Sequence, residues 1–470
     1  MSDKVLIINT GGTIGMVHSE EGNPLSPLRP AENWHEIAKE HPILNKFSTD
    51  YYQFTPLIDS SDMQPEVWVS IAEVINENYD DYRGFVVLHG TDTMAFTSSA
   101  LSFMLKNLDK PVVLTGSQVP LQKPRSDALQ NLVTAIQIAG NEVYGARIVP
   151  EVCIFFRDTL LRGNRVRKMD ATNYFGFSTP NYPSLGEAGG DLRIRRNRIL
   201  APKKEKFYID TVLEDRVVLI EIFPGLRPSY IKNIFENNTD IRGVVLKTYG
   251  NGNAPTNDEF IEVMEYINSR GIVVVNITQC TTGTVKMGLY EASARLLDAG
   301  VVSGLDLTPE AAIAKLMHLL GKTDDVEEIK KMMQIDICGE QTLNHYDFEY
   351  NPKGTGKDCS FTFDIPKVIA GDDLVEAVIR IKGVSPVDKS TEELKVSIEL
   401  DGDIPVENLR NFRSYKETVK TKENLGDDIL LSFNHCTKKL VDNCRVINVR
   451  LKSNTEIEWG SITFSIYSEN

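Results

Sequence analysis

A chain of 470 residues is too long for one typical hydrophobic core, so we expect two or three domains. Apolar residues make up 41% of the chain and charged residues 25%, which is typical of a soluble globular protein. The net charge of -15 disfavours a nucleic-acid partner, because binding to phosphates needs a concentrated basic face. The densest basic run, residues 193–198, is interrupted by Ile194 and Asn197, and we predict a solvated hairpin there.

No targeting or membrane segment is predicted. The apolar run 5–8 is too short for the core of a signal peptide, and no stretch approaches the ~20 apolar residues of a membrane span. The six cysteines show no CxxC spacing, so reduced thiols in a cytoplasmic protein are expected, although Cys436 and Cys444 could meet across a hairpin. The seven histidines lack the spacing of metal ligands, so we expect no metal site.

Residues 1–340 alternate between short β-branched runs and longer helical patterns. The predicted helices cover residues 65–78, 95–105, 125–139 and 257–269, and the predicted strands cover residues 5–8, 85–89, 111–115, 152–156, 217–223, 243–249 and 272–278. Continuously apolar runs indicate strands buried on both faces, so the alternation predicts an α/β fold with parallel sheets between helices. In such sheets, ligands bind at the carboxyl ends of the strands.

Three domains are expected. A stretch rich in proline, glycine and charge, residues 181–207, is predicted to connect a large α/β domain (1–190) to a smaller one (208–340). From about residue 347 the helical period disappears, and six short alternating runs separated by turn residues predict an antiparallel β-sandwich over residues 347–470.

Polar motifs follow the first strands. After the first strand, Gly11 and Gly12 allow backbone N–H groups to approach a ligand closely, and Thr13 offers a hydroxyl. The segment 59–63, DSSDM, precedes a helix and could hold a carboxylate through hydroxyl and N–H groups. Taken singly, each motif is equally typical of an ordinary turn or helix cap.

Two later segments suit proton transfer. Thr91 and Asp92 stand between a strand and a helix, where a carboxylate could bind a cationic amine. A lysine desolvated beside Asp92, such as Lys168, could shuttle the proton of Thr91. Most lysines are solvated, however, and Lys168 taken alone reads as a surface residue. His89 is expected to pack at the end of its strand.

The motifs together resemble the bacterial-type L-asparaginases, most closely the cytoplasmic type I branch, over about residues 1–335. The segments that carry the resemblance are TGGTIGM (10–16), IDSSDM (58–63), VVLHGTDTMAFT (86–97), VVLTGSQVPL (112–121), RSDA (125–128), LLRGNRVRK (160–168), GNGN (250–253) and QCTTGTVKMGLYE (279–291). The resemblance implies hydrolysis of asparagine, and sometimes glutamine, without a metal or cofactor.

The resemblance also implies a role for each site residue. Thr13 would be the nucleophile, and Thr91, Asp92 and Lys168 the assisting triad. The α-carboxylate and α-amine of the substrate would be held by Ser60, Ser61 and Asp92, and the N–H groups of Thr13 and Thr91 would stabilise the oxyanion. The other expected substrate-binding residues are Gly12, Asp59, Gly90, Ser117 and Asn253.

In this family a neighbouring subunit completes each site. The resemblance therefore implies a homodimer or homotetramer in which Asn253, in the GNGN turn, reaches across the interface.

Two positions differ from the family pattern. Many relatives carry a tyrosine in the loop after TGGTI, and residues 17–25 contain none. Arg167 stands where some type I enzymes have a small hydroxyl residue of an effector site, although Cys280 matches. We therefore do not expect regulation by asparagine.

Two other functions remain open. One is an amidase that supplies ammonia for transamidation of charged tRNA; the other is a non-catalytic amino-acid sensor or scaffold, as the missing tyrosine would suggest. For the β-rich segment, which is acidic and has Trp459 as its only tryptophan, we hypothesise assembly or binding of a protein partner.

Overall fold

The computed structural model falls into two compact units. One comprises residues 1–287, 295–333 and 337–341, and the other residues 288–294, 334–336 and 342–470. The structure describes residues 4–20, 26–140, 149–287, 291–350, 354–364, 373–391, 393–402, 413–421, 428–434 and 446–469. None of the helices in these ranges is long and apolar enough to cross a membrane.

Nine α-helices lie within the described ranges. They are α1 (Trp34–Glu40), α2 (Pro65–Glu77), α3 (Met94–Met104), α4 (Ala128–Ala139), α5 (Pro228–Asn237), α6 (Asp258–Ser269), α7 (Glu291–Asp298), α8 (Pro309–Lys322) and α9 (Val326–Met333). The strands of the first unit are β1 (Val5–Asn9), β2 (Met16–His18), β3 (Leu28–Pro30), β4 (Thr49–Gln53), β5 (Gly84–Leu88), β6 (Leu105–Lys106), β7 (Val112–Thr115), β8 (Val152–Phe156), β9 (Thr159–Arg162), β10 (Arg167–Lys168), β11 (Phe177–Ser178), β12 (Gly186–Ala188), β13 (Leu192–Ile194), β14 (Tyr208–Ile209), β15 (Val217–Glu221), β16 (Gly243–Thr248), β17 (Val273–Thr278) and β18 (Val302–Ser303).

A large sheet dominates the first unit, in the order β13-β12-β9-β8-β7-β5-β1-β4. Strands β1, β5, β7 and β8 run parallel, as predicted, and β4, which was not predicted, joins them in parallel. Alternate side chains of β1 enter two different cores: Ile8 packs with residues of α2 and α3, whereas Ile7 packs with residues of α4. Burial on both faces explains why these strands are continuously apolar.

A second parallel sheet, β15-β16-β17-β18, forms the smaller α/β layer. One face packs against α5 and α6, and the other against α8 and α9. The sequence predicted this arrangement.

The predicted connection at residues 181–207 is partly wrong. Strands β12 and β13 form an antiparallel hairpin that extends the large sheet as far as Ile194. Short strands with few apolar residues at a sheet edge give little periodicity, so composition alone suggested a linker. The basic run 193–198 begins on this hairpin, and Arg193, Arg195 and Arg196 are exposed, as expected, but its end, Arg196–Arg198, is a 3-10 turn.

The second unit is an antiparallel sandwich, as predicted. Its strands are β19 (Leu343–Tyr350), β20 (Gly354–Asp364), β21 (Asp373–Ile381), β22 (Ser385–Pro386), β23 (Glu393–Gly402), β24 (Arg413–Thr421), β25 (Ile429–Asn434), β26 (Val446–Trp459) and β27 (Ile462–Glu469). The two main sheets have the orders β19-β27-β21-β25 and β20-β26-β23-β24, and β22 pairs with β26. Phe361, Ile379, Leu451 and Phe464 belong to the core that the two sheets share.

Besides the two-residue β22, two strands of the sandwich, β19 and β24, were not predicted. Each lies at the edge of its sheet, and β24 has the sequence RSYKETVKT, whose charges hide the alternation. Cys153, Cys280, Cys338 and Cys359 are free thiols. The suggested pairing of Cys436 with Cys444 lies outside the described residues.

Candidate active site

Three chain segments meet at the carboxyl ends of β1 and β5. Gly12 has a φ of +86°, and a Cβ on it would lie 2.7 Å from the backbone nitrogen of Gly90. A Cβ on Gly90 would in turn lie 2.3 Å from Oγ of Ser60. Only glycine permits this close approach, so the TGG, DSS and GTD motifs come together.

Hydrogen bonds hold the three segments in place. The Thr10 hydroxyl donates to the carbonyl of Leu88 at 2.9 Å, and the backbone N–H of Ile58 donates to the carbonyl of Thr10 at 2.8 Å. The Thr93 hydroxyl donates to the carbonyl of Ser60 at 2.6 Å. Most of these partners are buried or half-buried, where hydrogen bonds compete little with water. The side chains that follow the strands are therefore presented on a rigid frame.

Lys168 joins this cluster from a distant part of the chain. It lies on β10, paired with Phe177 of β11, and its Nζ donates to Oγ1 of Thr91 at 2.9 Å and to Oδ1 of Asp92 at 2.7 Å. The Lys168 side chain is only 22% exposed, whereas that of Asp92 is 63% exposed. The surface position that its sequence context alone suggested for Lys168 is therefore wrong.

His89 is fully engaged elsewhere. Its Nδ1 lies 2.6 Å from the carbonyl of Gly90, which can only accept, so Nε2 accepts from the Thr97 hydroxyl at 2.8 Å. Nε1 of Trp68 donates to the same hydroxyl at 3.0 Å. Burial lowers the pKa of His89 to about 4, so the ring is neutral at pH 7 and packs at the strand end, as expected.

A cavity of about 360 Å³ opens at this point of the sheet. Seven of the predicted site residues line it: Gly12, Asp59, Ser60, Gly90, Thr91, Asp92 and Ser117. Gly11, which was expected to approach a ligand, also lines it, together with four residues that were not predicted as site residues: Met16, Leu57, Ile58 and Gln118. Gln118 directly follows Ser117 in the same motif, so its position was the available signal.

Similarity to known proteins agrees with this geometry. Residues 4–200 match the family model "Asparaginase, N-terminal", and residues 216–333 match "Glutaminase/Asparaginase C-terminal domain". L-asparaginase 1 of Escherichia coli K12 is 43% identical over 340 residues, which cover 72% of this chain and 98% of that protein. The chain belongs to the asparaginase family.

Two further relatives define the extent of the similarity. The crystal structure of L-asparaginase I from Vibrio cholerae is 40% identical, with a TM-score of 0.65, and the match covers 72% of this chain and 99% of that one. A glutamyl-tRNA(Gln) amidotransferase subunit of Pyrococcus abyssi is 34% identical over 349 residues, covering 72% of this chain and 77% of that protein. The β-sandwich lies beyond both asparaginase-family models.

In the DSS segment, residues 59–61, Asp59 and Ser61 bond to each other, whereas Ser60 lines the cavity. Oδ1 of Asp59 accepts from the backbone N–H of Ser61 at 3.0 Å and from its hydroxyl at 2.8 Å. These bonds hold the pKa of Asp59 below its usual value. Ser61 is exposed and does not line the cavity, whereas the buried Ser60 does.

Three features expected from the asparaginase resemblance stay predictions. Thr13 begins a turn of 3-10 helix, Thr13–Gly15, but the position of its hydroxyl is outside what the structure describes, as are residues 21–25 of the loop that follows. Asn253 bridges to Tyr249 in the turn after β16 and does not line the cavity of its own chain.

Arg167 points away from the site that Lys168 enters. Successive residues of a strand face opposite sides, and Nε of Arg167 lies 3.8 Å from Oε2 of Glu310, at the start of α8. Burial raises the pKa of Glu310, and the guanidinium opposes this shift. The side chain of Arg167 thus contacts α8 rather than the reacting groups.

Proposed function

We propose that this chain is an L-asparaginase, which hydrolyses L-asparagine to L-aspartate and ammonia with a threonine nucleophile. The observation that carries the proposal is the contact of Lys168 with both Thr91 and Asp92 beside a cavity at the strand ends. The E. coli relative that bears the name L-asparaginase 1 matches over nearly its whole length. Neither a metal nor a cofactor enters the proposed reaction.

In the proposed mechanism, Thr13 attacks the side-chain amide carbon of the substrate. The new C–O bond converts the carbonyl to an oxyanion, which the backbone N–H groups of Thr13 and Thr91 stabilise. The Lys168 ammonium gives a proton through Thr91 to the amide nitrogen, which leaves as ammonia, and the proton released by the nucleophile returns to Lys168 through Thr91. Water then hydrolyses the ester by the same route in reverse, giving aspartate and free Thr13.

Substrate binding in this proposal uses the charges at the mouth of the cavity. Asp92 and Asp59 would attract the α-ammonium group, and Ser60 would hold the α-carboxylate with nearby backbone N–H groups. A pocket discriminates one methylene by only ~1–3 kcal/mol, so glutamine is expected to be a poorer substrate rather than an excluded one. The roles of Gly12, Gly90 and Ser117 are to shape the cavity.

The test is release of ammonia from asparagine and from glutamine by the purified full chain, with Thr91→Val and Thr13→Ala as inactive comparisons. Thr239→Val, which removes an exposed hydroxyl elsewhere, is the matched control. We expect activity from the wild type and the control only. Equal release by the wild type and Thr13→Ala would refute the proposal.

A second candidate is ammonia supply to a transamidation partner. The similarity to the amidotransferase subunit of P. abyssi favours it, since that relative carries the same α/β region. A chain with this role would release little ammonia until its partner and charged tRNA were present. Turnover of free asparagine by the isolated chain would exclude this candidate, and a sensor or scaffold would give no turnover under either condition.

We further propose a cytoplasmic homodimer or homotetramer with three domains: two α/β domains, the first reaching about residue 200, and a C-terminal β domain that serves assembly or binds a protein partner. Asn253 would enter the site of the neighbouring subunit, so Asn253→Ala should raise KM more than it lowers kcat. Solution mass of the chain without residues 343–470 tests the assembly role. An unchanged oligomer would exclude that role.

A further inference from the structure

A second cleft, of about 180 Å³, lies beside the start of α4. Its walls come from residues 125–131, from the turn between β8 and β9, and from Tyr174. The Tyr174 hydroxyl donates to the carbonyl of Arg125, which fixes one rim of the cleft. None of these residues takes part in the mechanism proposed above.

Arg157, which lines the cleft, has one donor without an acceptor. Arg157 and Asp158 form the turn with φ values of +36° and +34°, a conformation that residues with a Cβ rarely adopt. The Arg157 guanidinium lies over the ring of Phe175, 3.1 Å from its centroid, which restrains it. Its Nη1 is buried and has no hydrogen-bond partner among the described residues. A buried, oriented N–H group of this kind favours an added acceptor.

Of the two nearby carboxylates, only Asp158 pairs with Arg157, and its exposure makes this a weak, solvent-screened ion pair. The Asp127 carboxylate accepts hydrogen bonds from the backbone N–H groups of Gln118 and Val119, both at 3.1 Å, and from Nδ2 of Asn131 at 3.2 Å. Asp158 is 58% exposed and lies 3.9 Å from Nε of Arg157. Arg125 adds a second guanidinium, for which no partner is seen within the described part of the chain.

One buried side chain connects the cleft to the active site. Oδ1 of Asn131 accepts from the backbone N–H of Arg157 at 2.8 Å, and its Nδ2 donates to the carbonyl of Gly116 at 2.9 Å. Gly116 precedes Ser117, which lines the active-site cavity. Asn131 is fully buried, so it can transmit a shift of the turn at Arg157 to Ser117.

We propose that this cleft is a second binding site, which takes a small organic carboxylate between Arg157 and Arg125. A planar carboxylate fits the guanidinium fork with two parallel hydrogen bonds. Its binding alters the active site through Asn131, and this second part rests on the proposed asparaginase activity.

The binding is tested by calorimetric titration of the full chain with malonate. We expect saturable binding in the wild type and in Thr91→Val, and at least tenfold weaker binding in Arg157→Gln and Arg125→Gln. Arg196→Gln, which removes an exposed arginine outside the cleft, should bind like the wild type. Equal affinity in Arg157→Gln, or a loss of binding in Thr91→Val, would overturn the proposal, since the second result places malonate in the active-site cavity.

Two further arms complete the test. Inorganic phosphate replaces malonate in one arm; binding of phosphate alone would refute the carboxylate assignment. In the other arm, ammonia release is measured with increasing malonate, and KM or kcat should change at least twofold in the wild type and not in Arg157→Gln. An unchanged rate would overturn the link between the cleft and the active site. A chain that releases no ammonia would refute the proposed function, and the calorimetric titration would then decide by itself whether the cleft binds a carboxylate. Thermal unfolding of Arg157→Gln and Arg157→Lys verifies that both fold.

Discussion

Replacement of Lys168 by methionine removes the ammonium group and keeps the length of the side chain. In the wild type, Nζ of Lys168 contacts Oγ1 of Thr91 at 2.9 Å and Oδ1 of Asp92 at 2.7 Å. Both contacts are lost in Lys168→Met, so Thr91 loses its proton-transfer partner and Asp92 its counter-charge. We expect kcat to fall while the fold is preserved.

The size of each effect follows from the surroundings. Proton transfer by a positioned side chain contributes roughly 10²–10⁴-fold to a rate, or about 3–5 kcal/mol of barrier. By contrast, Asp92 is 63% exposed, so solvent screens its ion pair with Lys168 to below about 1 kcal/mol of folding stability. A large loss of activity should therefore accompany a small change in Tm.

The assay measures kcat and KM for asparagine by ammonia release, together with thermal unfolding by circular dichroism. Lys203→Met, which changes an exposed lysine in the same way, is the matched control and should behave like the wild type. Lys168→Arg should recover part of the activity, because it retains the charge but not the geometry. A loss smaller than tenfold in Lys168→Met at unchanged Tm would refute the role of Lys168 in proton transfer.

Three further predictions concern the stability of the protein and the close backbone approach at the active site. The pKa of His89 is about 4 in the folded protein and near 6.5 when unfolded, so its contribution to the free energy of unfolding, on the order of 3 kcal/mol, is present above about pH 6.5 and is lost as the pH falls towards 4. Urea unfolding at about pH 7 and about pH 4.5 should show a smaller loss of unfolding free energy in His89→Gln than in the wild type. Equal losses in the two proteins would contradict this prediction. Gly12→Ala should abolish ammonia release, because its Cβ would lie 2.7 Å from Gly90, whereas Gly189→Ala, with nothing within 4 Å, should retain it. Phe464→Ala empties a fully buried position of the sandwich and should cost about 3–5 kcal/mol of unfolding free energy. The measurement is urea unfolding followed by the fluorescence of Trp459 in a Trp34→Phe, Trp68→Phe background, and a cost below about 1 kcal/mol would count against the assigned core.

Much of the α/β region could be predicted because its signals are local. Strands such as Val152–Phe156 are buried on both faces and must be apolar throughout, which distinguishes them from the helices beside them. Parallel strands place their carboxyl ends on one edge, so motifs far apart in sequence, at Gly12 and at Thr91, were expected to meet. The structure brings both to one cavity.

What escaped prediction depends on long-range pairing or on competition between neighbours. The contact of Lys168 with Thr91 was implied only by the family resemblance, because the pairing of β10 with β11 that accompanies it is not encoded in any local pattern. The Ser61 hydroxyl donates to Asp59, and the sequence DSS does not distinguish this contact from the expected contact with substrate. The hairpin β12–β13 and strand β24 lie at sheet edges, and their sequences carry too many polar residues for the alternation on which strand prediction relies.

The assignment of the nucleophile turns on where the Thr91 proton can go. Because Oγ1 of Thr91 accepts a hydrogen bond from Lys168, its own O–H is free to donate into the cavity that it lines. This arrangement suits a proton relay between the nucleophile and the leaving nitrogen, which is the role that we propose for Thr91, with Thr13 as the attacking group. Acid quenching during turnover, followed by peptide mass spectrometry, would locate the aspartyl ester: we expect it on the peptide that contains Thr13. An ester on the Thr91 peptide would reverse the two roles, because the residue with Lys168 and Asp92 beside it would then be the nucleophile.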